Sequence, residues 1–409
     1  VPSQQPRAKT AWPLGFGLLA LVLLLTAVLG LSAPTGASAN GVRKVSDARA
    51  LGNVSCAQAR RNLIARRSRL RRGTARRVKP CRSRSGASGP LYWGAWVGDQ
   101  LTGTEAPWDM GAVSKFEAMT GKSASVINFS SPFADCSNSP CSFYDFPQQE
   151  MERIRQHGSI PFFSWGSQST PASLNEPDFQ LSDVIAGRYD SYIRSWAEAA
   201  REWGHPFFLR FDWEMNGNWF AWMEGVNGNQ PGEYVTAWRH VHDIFTSVGA
   251  TNVSWVWCPN VDPGHKLRNL ASLYPGDEYV DWTGLDGYNF GINPAAPRGW
   301  MTFNQLFRST YDEITEEIAP SKPLIISEVG CSEDGGSKAQ WIAEALTSAR
   351  TEYPQLRGLL WFEKYDDGMD WPIETSSSAT AAFAEGIQNP AYLSDSFASA
   401  GSGPIQPAG

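Results

Sequence analysis

Glu214 and Glu328 are the residues best placed to do chemistry. Each stands at the end of a stretch otherwise built for a protein interior, "PFFLRFDWE" (206–214) and "KPLIISEVG" (322–330). A carboxylate behind so apolar a run costs free energy unless it is paired or used. Strand alternation puts Arg210, Asp212 and Glu214 on one face, with Asp212 expected to pair with Arg210. Two glutamates on different strand ends suit glycoside hydrolysis, where one is a protonated acid and the other an ionised nucleophile. A carboxyl separation of about 5–5.5 Å would retain the anomeric configuration, and a wider gap would invert it. Arg210 would keep the nucleophile ionised and Tyr288 would hydrogen-bond it. Trp213, Trp219, Trp222 and Trp361 offer flat faces on which sugars stack. Structural ion pairing is the competing explanation for either glutamate alone; their joint placement favours a site.

Such residues need elements to hold them, and the chain supplies a repeating set. Between residues 90 and 390 lie eight short apolar, β-branched or aromatic runs, at 91–98, 123–130, 159–165, 206–214, 252–259, 280–289, 322–330 and 357–364. Most intervals carry a helical pattern, such as "FPQQEMERIRQHG", "AGRYDSYIRSWAEAAREWG" and "SKAQWIAEALTSARTEYP". Strands alternating with amphipathic helices predict an α/β fold of parallel βα units, and eight of them predict a closed (β/α)8 TIM barrel. A doubly wound open sheet fits less well, because no glycine fingerprint follows the first strand. In a barrel the site lies at the C-terminal strand ends, where Glu214, Glu328, Tyr288 and Trp361 fall.

Charge divides the chain sharply. Residues 1–89 hold 17 Lys and Arg against one Asp, whereas residues 90–409 hold 18 against 40 Asp and Glu. Arg7 and Lys9 precede the apolar run 14–31, and Ala37–Ala39 supply small residues for cleavage, so residues 1–39 read as a signal peptide or a retained membrane anchor. Either one puts the remainder outside the cytoplasm, secreted or at the cell surface. Residues 40–89 form a basic linker or small module, with 12 basic residues between Arg60 and Arg84. It is either an electrostatic attachment to an anionic cell-wall polymer or a solvated spacer. Nucleic acid is not expected as its partner, since the segment has no aromatic stacking residue. Residues 391–409 read as a disordered tail. Of the six cysteines, Cys56–Cys81, Cys136–Cys141 and Cys258–Cys331 are the expected pairs. No His or Cys cluster has metal-ligand spacing, so no metal or cofactor is expected, and the chain is read as a monomer.

The motif "FLRFDWEMNGNWFAW" resembles the fourth-strand motif of glycoside hydrolase family 26, retaining (β/α)8 enzymes that include β-mannanases. "IISEVG" looks like that family's nucleophile strand, and "GYN" and "LLWFE" resemble its sixth and eighth strands. The resemblance covers roughly residues 90–390. It implies that Glu214 is the acid/base, Glu328 the nucleophile, Tyr288 its hydrogen-bond donor and Arg210 a support for the charges. Trp361 would then floor the subsite where the bond breaks. Mannanases of the family typically carry His directly before the acid/base, where this chain has Trp213. The expected function is therefore a secreted retaining endo-β-glycosidase on a β-mannan-type polysaccharide, mixed-linkage β-glucan or β-1,3-xylan. The rival reading is a non-catalytic carbohydrate-binding barrel tethered by its basic segment.

Overall fold

The computed structural model describes residues 88–263, 269–294, 298–366 and 368–409. The expected signal or anchor, the basic segment up to residue 87 and the Cys56–Cys81 pair lie outside the described residues. The strands in chain order are β1 (Leu91–Val97), β2 (Val126–Asp135), β3 (Ser142–Phe143), β4 (Ile160–Thr170) and β5 (Phe207–Phe211). They continue with β6 (Val253–Trp257), β7 (Trp282–Asn289), β8 (Leu324–Cys331), β9 (Leu356–Glu363) and β10 (Tyr392–Leu393). Eight of them, β1, β2 and β4 to β9, pair in parallel with their neighbours in turn, and β1 pairs with both β2 and β9, which closes the barrel. All eight expected strands are present.

The helices are α1 (Met110–Thr120), α2 (Gln148–His157), α3 (Leu181–Ile185), α4 (Asp190–Trp203) and α5 (Glu233–Val248). They are followed by α6 (Phe303–Glu313), α7 (Lys338–Thr351) and α8 (Ser377–Ile387). Strand alternation sorts the aromatics into two layers. Trp165 faces outward and stacks on Trp196 of α4, with centroids 4.5 Å apart. Tyr92, Phe208 and Trp282 face inward near the strand starts, with Phe208 and Trp282 centroids 5.2 Å apart and Tyr92 and Trp282 6.3 Å apart. Among the described residues no helix is long and apolar enough to cross a membrane.

Three expectations change. The tail is ordered: Tyr392 and Leu393 pair with the start of β1, and Ile405 is buried beneath the inward aromatics. There the Ile405 carbonyl accepts Trp282 Nε1–H (2.8 Å), its amide donates to Ser254 Oγ (2.6 Å), and Tyr92 donates to the Gln406 carbonyl (3.0 Å). Composition misses this because the plug needs one apolar side chain and a few backbone bonds. The barrel unit therefore runs to residue 409 rather than 390. Cys136–Cys141 forms as expected, beside the β2–β3 hairpin. Cys258 and Cys331 are free and buried. They end strands separated by β7, two strand spacings or about 9–10 Å apart, beyond the roughly 7 Å that a disulfide spans.

Candidate active site

The strand ends converge as expected, through a backbone that departs from simple alternation. β5 ends at Phe211, and both Asp212 (φ 40°) and Glu214 (φ 56°) adopt left-handed conformations. Such φ values cost a non-glycine residue free energy and cluster at functional sites. The turn rotates Asp212 away from Arg210. Its carboxyl instead meets Ser167, accepting from the backbone N–H and facing the hydroxyl, each at 2.7 Å. Burial raises the Asp212 carboxyl to about 8. The expected Arg210–Asp212 pair is thus absent, and the left-handed turn is the reason.

Arg210, fully buried, donates instead to three oxygens and, more weakly, to Cys258 Sγ at 3.9 Å. Nε reaches Ser164 Oγ (2.9 Å), Nη1 reaches Asp286 Oδ2 (2.6 Å) and Nη2 reaches Glu328 Oε1. Burial opposes the guanidinium charge, but Asp286 and Glu328 outweigh it, so the arginine is held firmly protonated. Tyr288 donates its hydroxyl to Glu328 Oε2. Burial, with Glu328 beside it, pushes the phenol far up, so it remains a donor. Both oxygens of Glu328 are therefore held by donors. Register shifts between Leu285 and Asp286 on β7 and between Ile326 and Val329 facing β9 adjust the aim of these side chains.

Glu214 has a different environment. Its Oε1 accepts from Asn260 Nδ2 (2.7 Å) and its Oε2 from Trp219 Nε1 (2.6 Å). Asn260 is locked by Asn216, whose side chain exchanges two hydrogen bonds of 2.9 Å with the Asn260 backbone. Burial raises the Glu214 carboxyl to about 7, helped by the charge of Glu328 and opposed by Asn260, Trp219 and Arg210. Oxygens of Glu214, Asp286 and Glu328 all lie within 4.8 Å of one another. Three carboxylates so close could hold a cation, and Arg210 is already the cation between two of them.

The tryptophans divide. Trp219 is half-buried, with its indole N–H on Glu214. Trp213 is buried with its ring 5.0 Å from the Arg210 guanidinium. It also packs on Phe220 and Trp222, with centroids at 5.2 and 4.8 Å. Trp222 is fully buried and donates to the Trp213 carbonyl (2.8 Å), so it props the loop rather than lining a rim. Trp361 is also corrected. It faces outward, packed on Phe383 of α8 (5.4 Å), while its neighbour Phe362 faces Tyr288 (5.5 Å). The ring packed on Tyr288 is Trp371, at 4.9 Å, which reaches it from a loop eight residues past β9. No strand-end rule finds it. Asp286 was legible, two residues before Tyr288 on the same face of β7, and Asn260 lay just beyond β6 in "WCPN".

The sequence profile described as glycosyl hydrolase family 26 matches residues 84–333. The chain belongs to this family. It is 33% identical over 306 residues, 73% of its length, to endoglucanase H of Acetivibrio thermocellus. It is 25% identical over 56% of its length to a mannan endo-1,4-beta-mannosidase of Bacillus subtilis, covering 59% of that protein. The chain spans less than a third of the length of the endoglucanase relative (30%). The catalytic domain of a family 26 endo-beta-1,4-mannanase from Bacillus sp. JAMB-750 superposes with a TM-score of 0.57 at 18% identity, covering 76% of this chain and 88% of that one. That likeness speaks to the barrel alone.

Proposed function

We propose that the protein is a retaining endo-β-glycosidase acting on a β-linked polysaccharide. The observation that carries this reading is the pair Glu214 and Glu328, with carboxylate oxygens within 4.8 Å and opposite electrostatic settings. That spacing matches the roughly 5–5.5 Å of retaining enzymes rather than the 6.5–9.5 Å of inverting ones. Glu328, held by Arg210 and Tyr288, attacks the anomeric carbon and forms a glycosyl-enzyme ester. Glu214 gives its proton to the departing glycosidic oxygen. It then takes a proton from a water that attacks the same carbon, releasing Glu328 and the sugar. A carboxyl raised to about 7 can serve both roles near neutral pH.

β-Glucan is the favoured substrate. An endoglucanase is matched at 33% identity over 73% of the chain, against 25% over 56% for the mannosidase named above, and Trp213 stands where family mannanases typically place a sugar-contacting His. Its ring is engaged with Arg210, Phe220 and Trp222, and an indole can offer a hydroxyl only a donor, where an imidazole can also accept. The test is release of reducing ends from mixed-linkage β-glucan, β-mannan and β-1,3-xylan by wild type, Glu328→Ala and Glu214→Ala. Wild-type rates on any of the three from Glu328→Ala would refute the mechanism. The highest rate on mannan would refute the substrate choice.

Export and surface attachment complete the reading, supported by the apolar run 14–31 and the basic residues between Arg60 and Arg84. The full chain should bind an anionic polymer such as polyglutamate and be released by 1 M salt, where the Debye length falls to about 3 Å. Binding that survives salt or deletion of residues 40–87 would overturn the attachment.

A further inference from the structure

Glu363 ends β9 on its outward face, two residues after Trp361, and is fully buried. The double displacement makes no use of it. Its Oε2 accepts the Ile373 backbone N–H (3.0 Å), and its buried Oε1 meets no donor. Glu374 repeats the pattern. Its Oε1 accepts from Gln100 Nε2 (3.2 Å), and its buried Oε2 meets no donor. Gln100 Nε2 also donates to the Glu363 carbonyl (3.0 Å), so one amide ties the two glutamates together.

A buried oxygen left without a donor costs free energy. A single proton between two such oxygens gives each a partner, whereas two bare carboxylates in contact repel. The two carboxyls are within hydrogen-bonding reach of each other. Burial first, then the bond and the charge of Glu374, raise the Glu363 carboxyl well above the usual range. The Ile373 N–H and Lys338 on α7 oppose them. Of the charged groups around the pair, Lys364 is taken by Glu105 (2.8 Å) and Glu333 accepts from Thr375 (2.9 Å). Asp370 and Tyr365, which border it, bring no positive charge.

The pair joins the two ends of the loop that carries Trp371. Glu363 opens that loop, and Glu374 lies in the 3-10 turn Ile373–Thr375 that closes it. Between them the Trp371 ring packs 4.9 Å from Tyr288, and so near Gly330 that a Cβ there would lie 3.0 Å from it. Gly330 is two residues past Glu328 on β8, and Tyr288 donates to Glu328 itself. Lys338 holds the same segment through the Asp370 and Pro372 carbonyls.

We infer that Glu363 Oε1 and Glu374 Oε2 share one proton, and that this bond clasps the Trp371 loop and seats its ring on Tyr288. Both glutamates are positioning residues, acting on Glu328 through Trp371 and Tyr288, and this consequence rests on the nucleophile reading given above. Loss of the proton at alkaline pH leaves two carboxylates in contact and opens the clasp.

The proton is counted without substrate. The slope of urea stability against pH reports the protons held by the folded chain over the unfolded one. Between about pH 5 and 8, Glu363→Gln and Glu374→Gln should each lose about one proton from that difference, because an amide donates where the proton stood. Loss in Glu363→Gln alone means that burial holds the proton on Glu363 unaided, and it overturns the sharing, as does loss in neither. The clasp is read from KM at about pH 6, on whichever of the three glycans above is cleaved fastest. Glu374→Gln should stay within about twofold of wild type, whereas Glu374→Ala should raise KM about tenfold and change kcat less. Equal KM values in the two variants overturn the clasp. If Glu374→Ala does not fold, wild type and Glu374→Gln are compared at about pH 6 and 9. KM should then rise with pH in wild type alone, and a parallel rise overturns the clasp. A wild type that cleaves none of the glycans refutes the glycosidase reading alone, and the proton count still decides the shared bond.

Discussion

Replacing Arg210 by Met tests whether charge, rather than packing, holds the centre of this site. The guanidinium is buried, and its donors reach Ser164, Asp286 and Glu328. Methionine fills much of the aliphatic space but leaves two carboxylates facing each other, with oxygens within 4.8 Å. At an effective dielectric of about 20, two unit charges at that distance repel by about 3.5 kcal/mol. Breaking buried ion pairs costs a similar amount, about 3–5 kcal/mol. Arg210→Met should therefore lower stability at pH 8 by about 3–5 kcal/mol, read as a shift of the urea midpoint by tryptophan fluorescence. Because the cost is repulsion, removing one charge should relieve it. Asp286→Asn in the Arg210→Met background should recover about half of the loss. A double variant no more stable than Arg210→Met would refute the reasoning, and would assign the worth of Arg210 to packing and to its contact with Trp213.

Three further outcomes follow from the same geometry. Glu214 and Asp212, raised to about 7 and about 8, hold protons more tightly folded than unfolded. Stability should thus fall as pH rises from about 4 to about 8, and Glu214→Gln should be more stable than wild type at pH 8 by about 2–3 kcal/mol in urea titrations. Lys338 is buried and donates to the Asp370 carbonyl, the Pro372 carbonyl (2.8 Å) and Thr375 Oγ1 (2.9 Å), bracketing Trp371. Lys338→Met should cost about 3 kcal/mol of stability and raise KM more than it lowers kcat, as steady-state kinetics would show. Deleting residues 391–409 removes the buried Ile405 side chain and its neighbouring hydrogen bonds, and should lower stability by at least about 4 kcal/mol in the same denaturation assay.

The barrel was legible because eight apolar runs alternate with amphipathic helices, and a period-2 pattern buried on both sides has few other solutions. Arg210, Glu214, Tyr288 and Glu328 were legible as polar residues behind apolar runs. What misled was local backbone. The alternation rule pairs Asp212 with Arg210 only if the strand continues, and it ends at Phe211 in a left-handed turn. Trp361 was misread for the opposite reason: it does lie on a regular strand, on the outward face. Trp371 sits on a loop, where no period reports direction, and the buried tail lacks the hydrophobic density that composition rules detect.

The plug at the barrel floor also carries a message about the order of events. Tyr92, on the first strand, meets its floor partner only when residue 406 has been made, a separation of 314 positions. Chains emerge from the ribosome at about 5–20 residues per second. For tens of seconds, then, the lowest aromatic layer has no lid, even if every stave is already in hand. The molecule is a vessel whose base is fitted last, and an assistant protein that shields it during synthesis would find its target at the end of the barrel opposite the sugar site.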